Sequence, residues 1–230
     1  KEIIPCGKYE DCIYYSDGLA GIKQNKLWGC IDRDGQMVIP CIYESPVTFY
    51  EGLASIWKDG KYGFIDKTGK IIIDYTYEYV EEPSNGITRA KKDRYTDEWS
   101  FITKNCIEYD YISHFFEGLA LVSRGRKWGY INTNFVEVIP CIYDAAFHFH
   151  EGLARVRRNN NYGFISVESK ELVPFVYSAV WNFSEGLAKV KRNDKWGYVD
   201  KTGKEVILCI YDDNKTFSHG LGQVKRSGLW

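Results

Sequence analysis

One short segment of the type Glu-Gly-Leu-Ala returns seven times along this chain, and that recurrence limits its fold more than any other feature. It begins at Asp17, Glu51, Asn85, Glu117, Glu151, Glu185 and His219, at spacings of 34, 34, 32, 34, 34 and 34 residues. A fixed period of this length marks a repeat architecture, in which each copy is one supersecondary unit. Glycine follows in all seven copies (Gly18, Gly52, Gly86, Gly118, Gly152, Gly186, Gly220). A residue free to take positive φ suits a tight entry into a strand.

Other columns keep the same register. Tyrosine stands eight residues before each anchor: Tyr9, Tyr43, Tyr77, Tyr109, Tyr143, Tyr177 and Tyr211. The next residue is acidic in six copies, Ser178 being the exception. An aromatic lies two before the anchor in six copies, with Pro83 breaking the column, and Leu or Ile lies two after it in all. Eleven after the anchor come Trp28, Tyr62, Trp128, Tyr162, Trp196 and Trp230. The third copy is irregular, with three extra residues before Trp99 and five fewer before Tyr109. Its segment near Arg94-Tyr95-Thr96 reads either as a binding loop or as decay of the pattern.

The local pattern is that of strands. Leu187-Ala188-Lys189-Val190-Lys191 alternates as a half-buried strand does. Arg192-Asn193-Asp194 reads as a turn and Trp196-Gly197-Tyr198-Val199-Asp200 as a second strand. Lys201-Thr202-Gly203 carries the signal of a longer hairpin loop, and a third strand starts at Glu205. A short fourth strand is expected between each tyrosine and the next anchor. No gap carries apolar residues at helical spacing for three turns, so the chain is expected to be all-β. One copy holds too few large apolar side chains to offset the entropy of ordering its backbone. Neighbouring copies must therefore cover one another's apolar faces.

Composition narrows the function. A formal net charge of −1 supplies no global field for nucleic acid or an anionic membrane, and no apolar run reaches a membrane-spanning length. The seven cysteines form no CxxC pair. Cys41, Cys141 and Cys209 share one repeat position, Cys6 and Cys106 the position before it, which reads as small buried side chains. Free thiols in this number favour a reducing compartment. The chain opens in the middle of a repeat, so a segment of a longer protein is expected, with any targeting signal upstream.

Cations gather toward the C-terminal half: Arg155, Arg157 and Arg158; Lys189, Lys191 and Arg192; Lys225 and Arg226. If these strands align, they form a positive stripe suited to an acidic partner, or they protect strand edges. The tyrosine column, with Trp28, Trp128 and Trp196, reads as packing between copies. The acid after each tyrosine is expected to pair with the basic column seven after the anchor: Lys58, Lys92, Arg124, Arg158, Arg192 and Arg226. His114 and His148 share a repeat position, and His148 and His150 fall on one side of an extended chain, without a third ligand to complete a metal site. No nucleophile elbow, P-loop, HExxH helix or dinucleotide fingerprint is present.

The stretches Lys127-Trp128-Gly129-Tyr130-Ile131 and Lys195-Trp196-Gly197-Tyr198-Val199-Asp200, each leading to the tyrosine-acid pair and the next anchor, resemble the bacterial WG (KWG) repeat family. The second and fifth copies depart with Tyr62-Gly63 and Tyr162-Gly163, the third with Trp99-Ser100. The resemblance covers essentially the whole chain. It implies a binding or scaffold role, with another protein as partner, no catalytic residues and no cofactor. The order of strands and turns is compatible with a seven-bladed, propeller-like ring of units of about 34 residues, or with an open β-solenoid. The functional expectation is a protein-binding scaffold. The alternative is a glycan-binding module or a hydrolase with a site distributed over the repeats.

Overall fold

The structure, a computed structural model, describes residues 7–229. Cys6 and Trp230, both members of the repeat columns, lie outside the described residues. Among the described residues every element is a strand, and the strands group into seven small antiparallel sheets. The chain divides into two compact units between Tyr109 and Asp110. The first holds sheets 1 (11–43), 2 (53–77) and 3 (79–109), and the second sheets 4 (111–143), 5 (145–177), 6 (179–211) and 7 (213–225).

Sheet 4 shows the plan, with strands Tyr111–Phe116, Leu119–Arg124, Lys127–Asn132 and Glu137–Tyr143 hydrogen-bonded in consecutive order. Such a four-stranded meander has the topology of a propeller blade. The short strand expected after each tyrosine is present after all but Tyr43, and it opens the following sheet. Ala145–Ala146 pairs with Leu153–Arg158, and Ala179–Val180 with Leu187–Arg192. Sheet 2 has three strands, because Pro46 stands where the opening strand would run. Proline brings no N–H to a ladder; the Ser45 hydroxyl instead accepts the Trp57 N–H at 3.2 Å.

Three kinds of turn connect the strands. The anchor turn places two successive residues at positive φ, Glu185 at 51° and Gly186 at 79° for example, with Ser184 and Leu187 exchanging backbone bonds of 2.9 and 3.1 Å. Both central residues at positive φ define the two-residue hairpin loop that matches strand twist. The central hairpin repeats this geometry at Asn193 and Asp194, where the sequence pattern predicts a turn. The third turn is longer. Asp200 Oδ1 accepts the N–H groups of Thr202 and Lys204 at 2.9 and 3.1 Å, and Gly203 takes φ 85°.

The glycine after each tryptophan or tyrosine has a steric cause. The closing strand bulges across it, so a Cβ on Gly129 would stand 2.5 Å from Ile139 O and 2.7 Å from both Cys141 N and Pro140 C. Gly163 and Gly63 lie under the same crossing. The third copy explains itself by this contact. Its closing strand is only Glu108–Tyr109 and pairs without a bulge, so Ser100 is tolerated where the other copies need glycine. Ser100 uses its hydroxyl to bond Glu108 at 2.7 Å.

The core lies between sheets. Trp28, Ile39 and Tyr43 of sheet 1 pack with Ala54, Ile56 and Ile65 of sheet 2. Phe64 and Tyr77 meet Ala90 and Ile102 of sheet 3. In the second unit Tyr130 and Tyr143 meet Ala154 and Val156, and Phe164 and Tyr177 meet Ala188, Val190 and Val199. Each of these four clusters draws side chains from two sheets, as the apolar content of one copy requires, while a smaller one of Ala20, Ile22 and Ile31 lies on sheet 1. The tyrosines close the strands that carry this packing. Tyr43, Tyr77, Tyr109, Tyr143 and Tyr177 are buried, while Tyr9 and Tyr211 are half-buried. Trp28 is buried; Trp128 and Trp196 are half-buried, opposite Tyr143 and Tyr211 in their ladders.

Candidate functional site

The basic residues of the second unit do not share one face. Within Leu153–Arg158, Arg155 and Arg157 project to one side, and Ala154, Val156 and Arg158 to the other, because successive strand side chains alternate. Lys189 and Lys191 are likewise separated from Arg192. Arg155 reaches between sheets, where its guanidinium lies 3.8 Å from the Phe147 ring centre and donates to Val180 O at 3.1 Å. Lys189 does the same one sheet on, donating to Asn214 O beneath the Trp196 ring and pairing with Asp213 at 3.6 Å. Both therefore tie a sheet to the opening strand of the next. Burial lowers the Arg155 pKa from its ordinary value. Arg157 lies over Tyr162, Lys191 pairs with Asp194 at 2.9 Å, and Lys225 holds the same position in sheet 7. Arg226 is exposed in the last hairpin.

The expected pairing of the post-tyrosine acids with the basic column seven after the anchor is corrected by the structure. Arg124, Arg158 and Arg192 pair with Glu137, Glu171 and Glu205, at the start of the closing strand of their own sheet, at 3.0, 3.1 and 2.6 Å. Lys92 pairs with Glu108 at 2.9 Å. The post-tyrosine acids face the next central hairpin instead. Asp110, Asp144 and Asp212 accept the N–H groups of Gly125, Asn159 and Ser227 at 2.7, 2.9 and 2.7 Å. Asp144 and Asp212 also bind Lys127 and Lys195, each at 2.5 Å. The short side chain next to the chain reversal reaches a turn donor before it can reach a distant arginine.

The anchor carboxylates have a role that no pattern suggested. Three of the five reach the following anchor turn: Asp17 accepts from Gly52 at 2.5 Å, Glu117 from Gly152 at 3.2 Å, and Glu185 from His219 and Gly220 at 2.8 and 2.9 Å. Lys67 and Lys201 bind the Asp17 and Glu151 carbonyls at 2.9 and 3.0 Å. The 34-residue period itself was the available signal, since it sets one acid beside the next copy's free turn N–H groups. Holding an acid at positive φ costs about 1–2 kcal/mol relative to the right-handed region, which these bonds offset.

His148 packs against Phe116, with ring centres 4.3 Å apart, and burial, then the neighbouring His150, lowers its pKa. Among the described residues no group of three or more His, Cys, Asp or Glu side chains is arranged to hold a metal ion, and no helix is long and apolar enough to cross a membrane. In the irregular third copy, Tyr95 is 89% exposed beside the Arg94–Glu78 pair.

These features define an all-β tandem-repeat protein whose copies are stitched together by side chains crossing from sheet to sheet. The family described as WG containing repeat matches seven times, over residues 1–28, 28–62, 62–95, 107–128, 128–162, 162–196 and 196–230, and the chain belongs to that family. No curated protein matches it in sequence. Among solved structures it is similar to Kluyveromyces lactis Hsv2 at 9% identity and a TM-score of 0.33, covering 68% of this chain and 59% of Hsv2. It is similar to the Neurospora crassa Pan2 WD40 domain at 10% identity and a TM-score of 0.30, covering 84% and 75%. The chain thus spans about three fifths of the Hsv2 chain.

Proposed function

We propose that this chain is a non-catalytic scaffold that binds another protein. One observation carries the reading. Tyr43, Tyr77, Tyr143 and Tyr177 of the recurrent column pack between sheets, whereas the strand position six after the anchor differs from copy to copy. Rigid elements presenting variable side chains suit recognition, because little order is lost on binding. On this reading the basic contact residues are Arg157, Lys191 and Lys225, six after their anchors in sheets 5, 6 and 7, with Arg226 beside them. Arg155, Lys189, Arg158 and Arg192 support them by holding the sheets and closing strands in place.

The test is recovery of a partner by the intact chain and by the Arg157→Glu/Lys191→Glu/Lys225→Glu variant, with circular dichroism confirming that both are folded. Loss of the partner from the variant, and its release from the intact chain at high salt, are the expected results. Undiminished recovery by the variant would end the assignment of this surface.

A further inference from the structure

In five of the sheets the residue four after the anchor decides what fills the space between that sheet and the opening segment of the next. In sheet 4 it is the buried Leu121, packed in one cluster with Ala146. In sheets 5 and 6 it is Arg155 and Lys189, whose cationic heads bond the carbonyls of Val180 and Asn214. In sheet 1 it is Gly21, and the Ile13 side chain packs over it. In sheet 2 it is Ser55, too short to reach across. A cavity of about 230 Å³ opens there, lined among others by Ser55, Tyr50, Tyr62, Val80, Glu81 and Glu82.

The walls of this cavity repeat those around Lys189. Val80 stands five before its anchor, as Val180 and Asn214 do, and Tyr62 occupies the column of Trp196, the ring over which Lys189 lies; the ring against Arg155 is Phe147, whose counterpart beside Ser55 is Val47. A cation over an aromatic face and against a backbone carbonyl is the arrangement already present around Lys189. Two differences strengthen the preference for positive charge. Glu81 and Glu82 stand where the next sheet over in the second unit carries Trp181 and Asn182. Glu81 is shared with Arg89 at 3.1 Å, and Glu82 is exposed at the rim. An adjoining cavity of about 250 Å³, sharing Tyr50 and Pro83, brings Asp17 and Glu51 to the same groove. The volume falls below the ~300 Å³ of small-molecule pockets and suits one long side chain.

We propose that the Ser55 cavity receives a cationic side chain, guanidinium or primary ammonium, presented by another protein, in the seat that Arg155 and Lys189 fill from within the chain. This site lies on other residues than the Arg157, Lys191 and Lys225 row, and its success or failure is independent of that assignment.

The test is a titration of the isotope-labelled chain, followed by amide NMR, with N-acetyl-arginine amide, N-acetyl-lysine amide and the neutral N-acetyl-citrulline amide. The expected result is movement of the Ser55, Tyr62 and Val80 signals with one or both cations, and at least tenfold weaker binding of citrulline. The two cationic arms decide between guanidinium and ammonium. Ser55→Arg, which supplies the cation from within, should abolish the response and raise the melting temperature. Ser55→Leu, copying sheet 4, should abolish the response by filling the space. Glu82→Gln should weaken binding about fivefold with melting unchanged. No response to either cation, an equal response to citrulline, or an undiminished response in a folded Ser55 variant would overturn the proposal.

Discussion

The Tyr177 hydroxyl donates to Glu205 Oε1 at 3.1 Å, joining the last residue of sheet 5 to the first residue of the closing strand of sheet 6. Arg192 reaches the same carboxylate oxygen at 2.6 Å, so one acid serves its own sheet and the preceding one. Burial, and then the charge of Glu205, push the Tyr177 phenol above its ordinary value. Lys92, Glu108 and the buried Tyr77 occupy the corresponding places between sheets 2 and 3.

Tyr177→Phe should therefore lower stability by about 1 kcal/mol, the net worth of one such bond. The partner substitution Glu205→Gln should cost less in the Tyr177→Phe background than in the wild type, since part of what it breaks is already gone. Denaturant unfolding of the four proteins measures this. Strict additivity would show that the two side chains are not coupled.

The Trp-Gly crossing should be intolerant of any side chain. Gly129→Ala forces a Cβ against three backbone atoms that cannot rotate away, and should cost about 2–3 kcal/mol, in the upper range for overpacking. At Gly63 the nearest approach is 2.8 Å and the next two are 3.2 Å, so Gly63→Ala should cost less. Equal losses in the two variants would mean that the bulge yields and is not the reason for glycine.

Acid should loosen the sheet-to-sheet bonds. The Lys127 and Lys195 ammonium groups hold Asp144 and Asp212 below the ordinary carboxylate value, and the N–H groups of Gly220 and His219 do so for Glu185. A carboxyl with a depressed folded-state pKa stabilises the fold above its unfolded value and ceases to do so as pH falls through the folded one. Melting temperature should be level near neutrality and decline below about pH 4, where unpaired carboxylates begin to protonate. The Asp144→Asn/Asp212→Asn variant should show a shallower decline. A decline as steep as that of the wild type would place the acid sensitivity elsewhere.

Thiol reactivity should divide by burial. Burial, then the neighbouring Cys41, pushes the Cys30 thiol up to about 12, while Cys12 is exposed. Since the thiolate is the reactive form, alkylation at pH 8 of the folded protein should label Cys12 and spare Cys30 until denaturant is added. Mass spectrometry of the peptides reads the result; rapid labelling of Cys30 would show that sheets 1 and 2 separate readily.

Much of this architecture was legible in the residues. The 34-residue period, the alternation in Leu187–Arg192 and the Asn193-Asp194 and Lys201-Thr202-Gly203 turns are local signals, and local backbone preferences answer to them directly. The need for neighbouring copies followed from the small apolar content of each. Partner choice among charged side chains was not legible. Arg124 meets Glu137 and not a post-tyrosine acid, because strand pairing brings the start of the closing strand beside it. The division of Arg155 from Arg158, and the reach of Arg155 to Val180, depend on which way each side chain leaves its strand and on how closely the next sheet approaches.

By itself, then, the amino-acid order determined an all-β tandem array of seven units with closed hairpins, because turn chemistry and two-residue periodicity act over a few bonds. Only the tertiary structure decided which charges join sheets, why glycine follows tryptophan, and where Ser55 leaves a cavity. Those outcomes depend on distances between strands far apart in the chain, which side-chain identity alone does not contain.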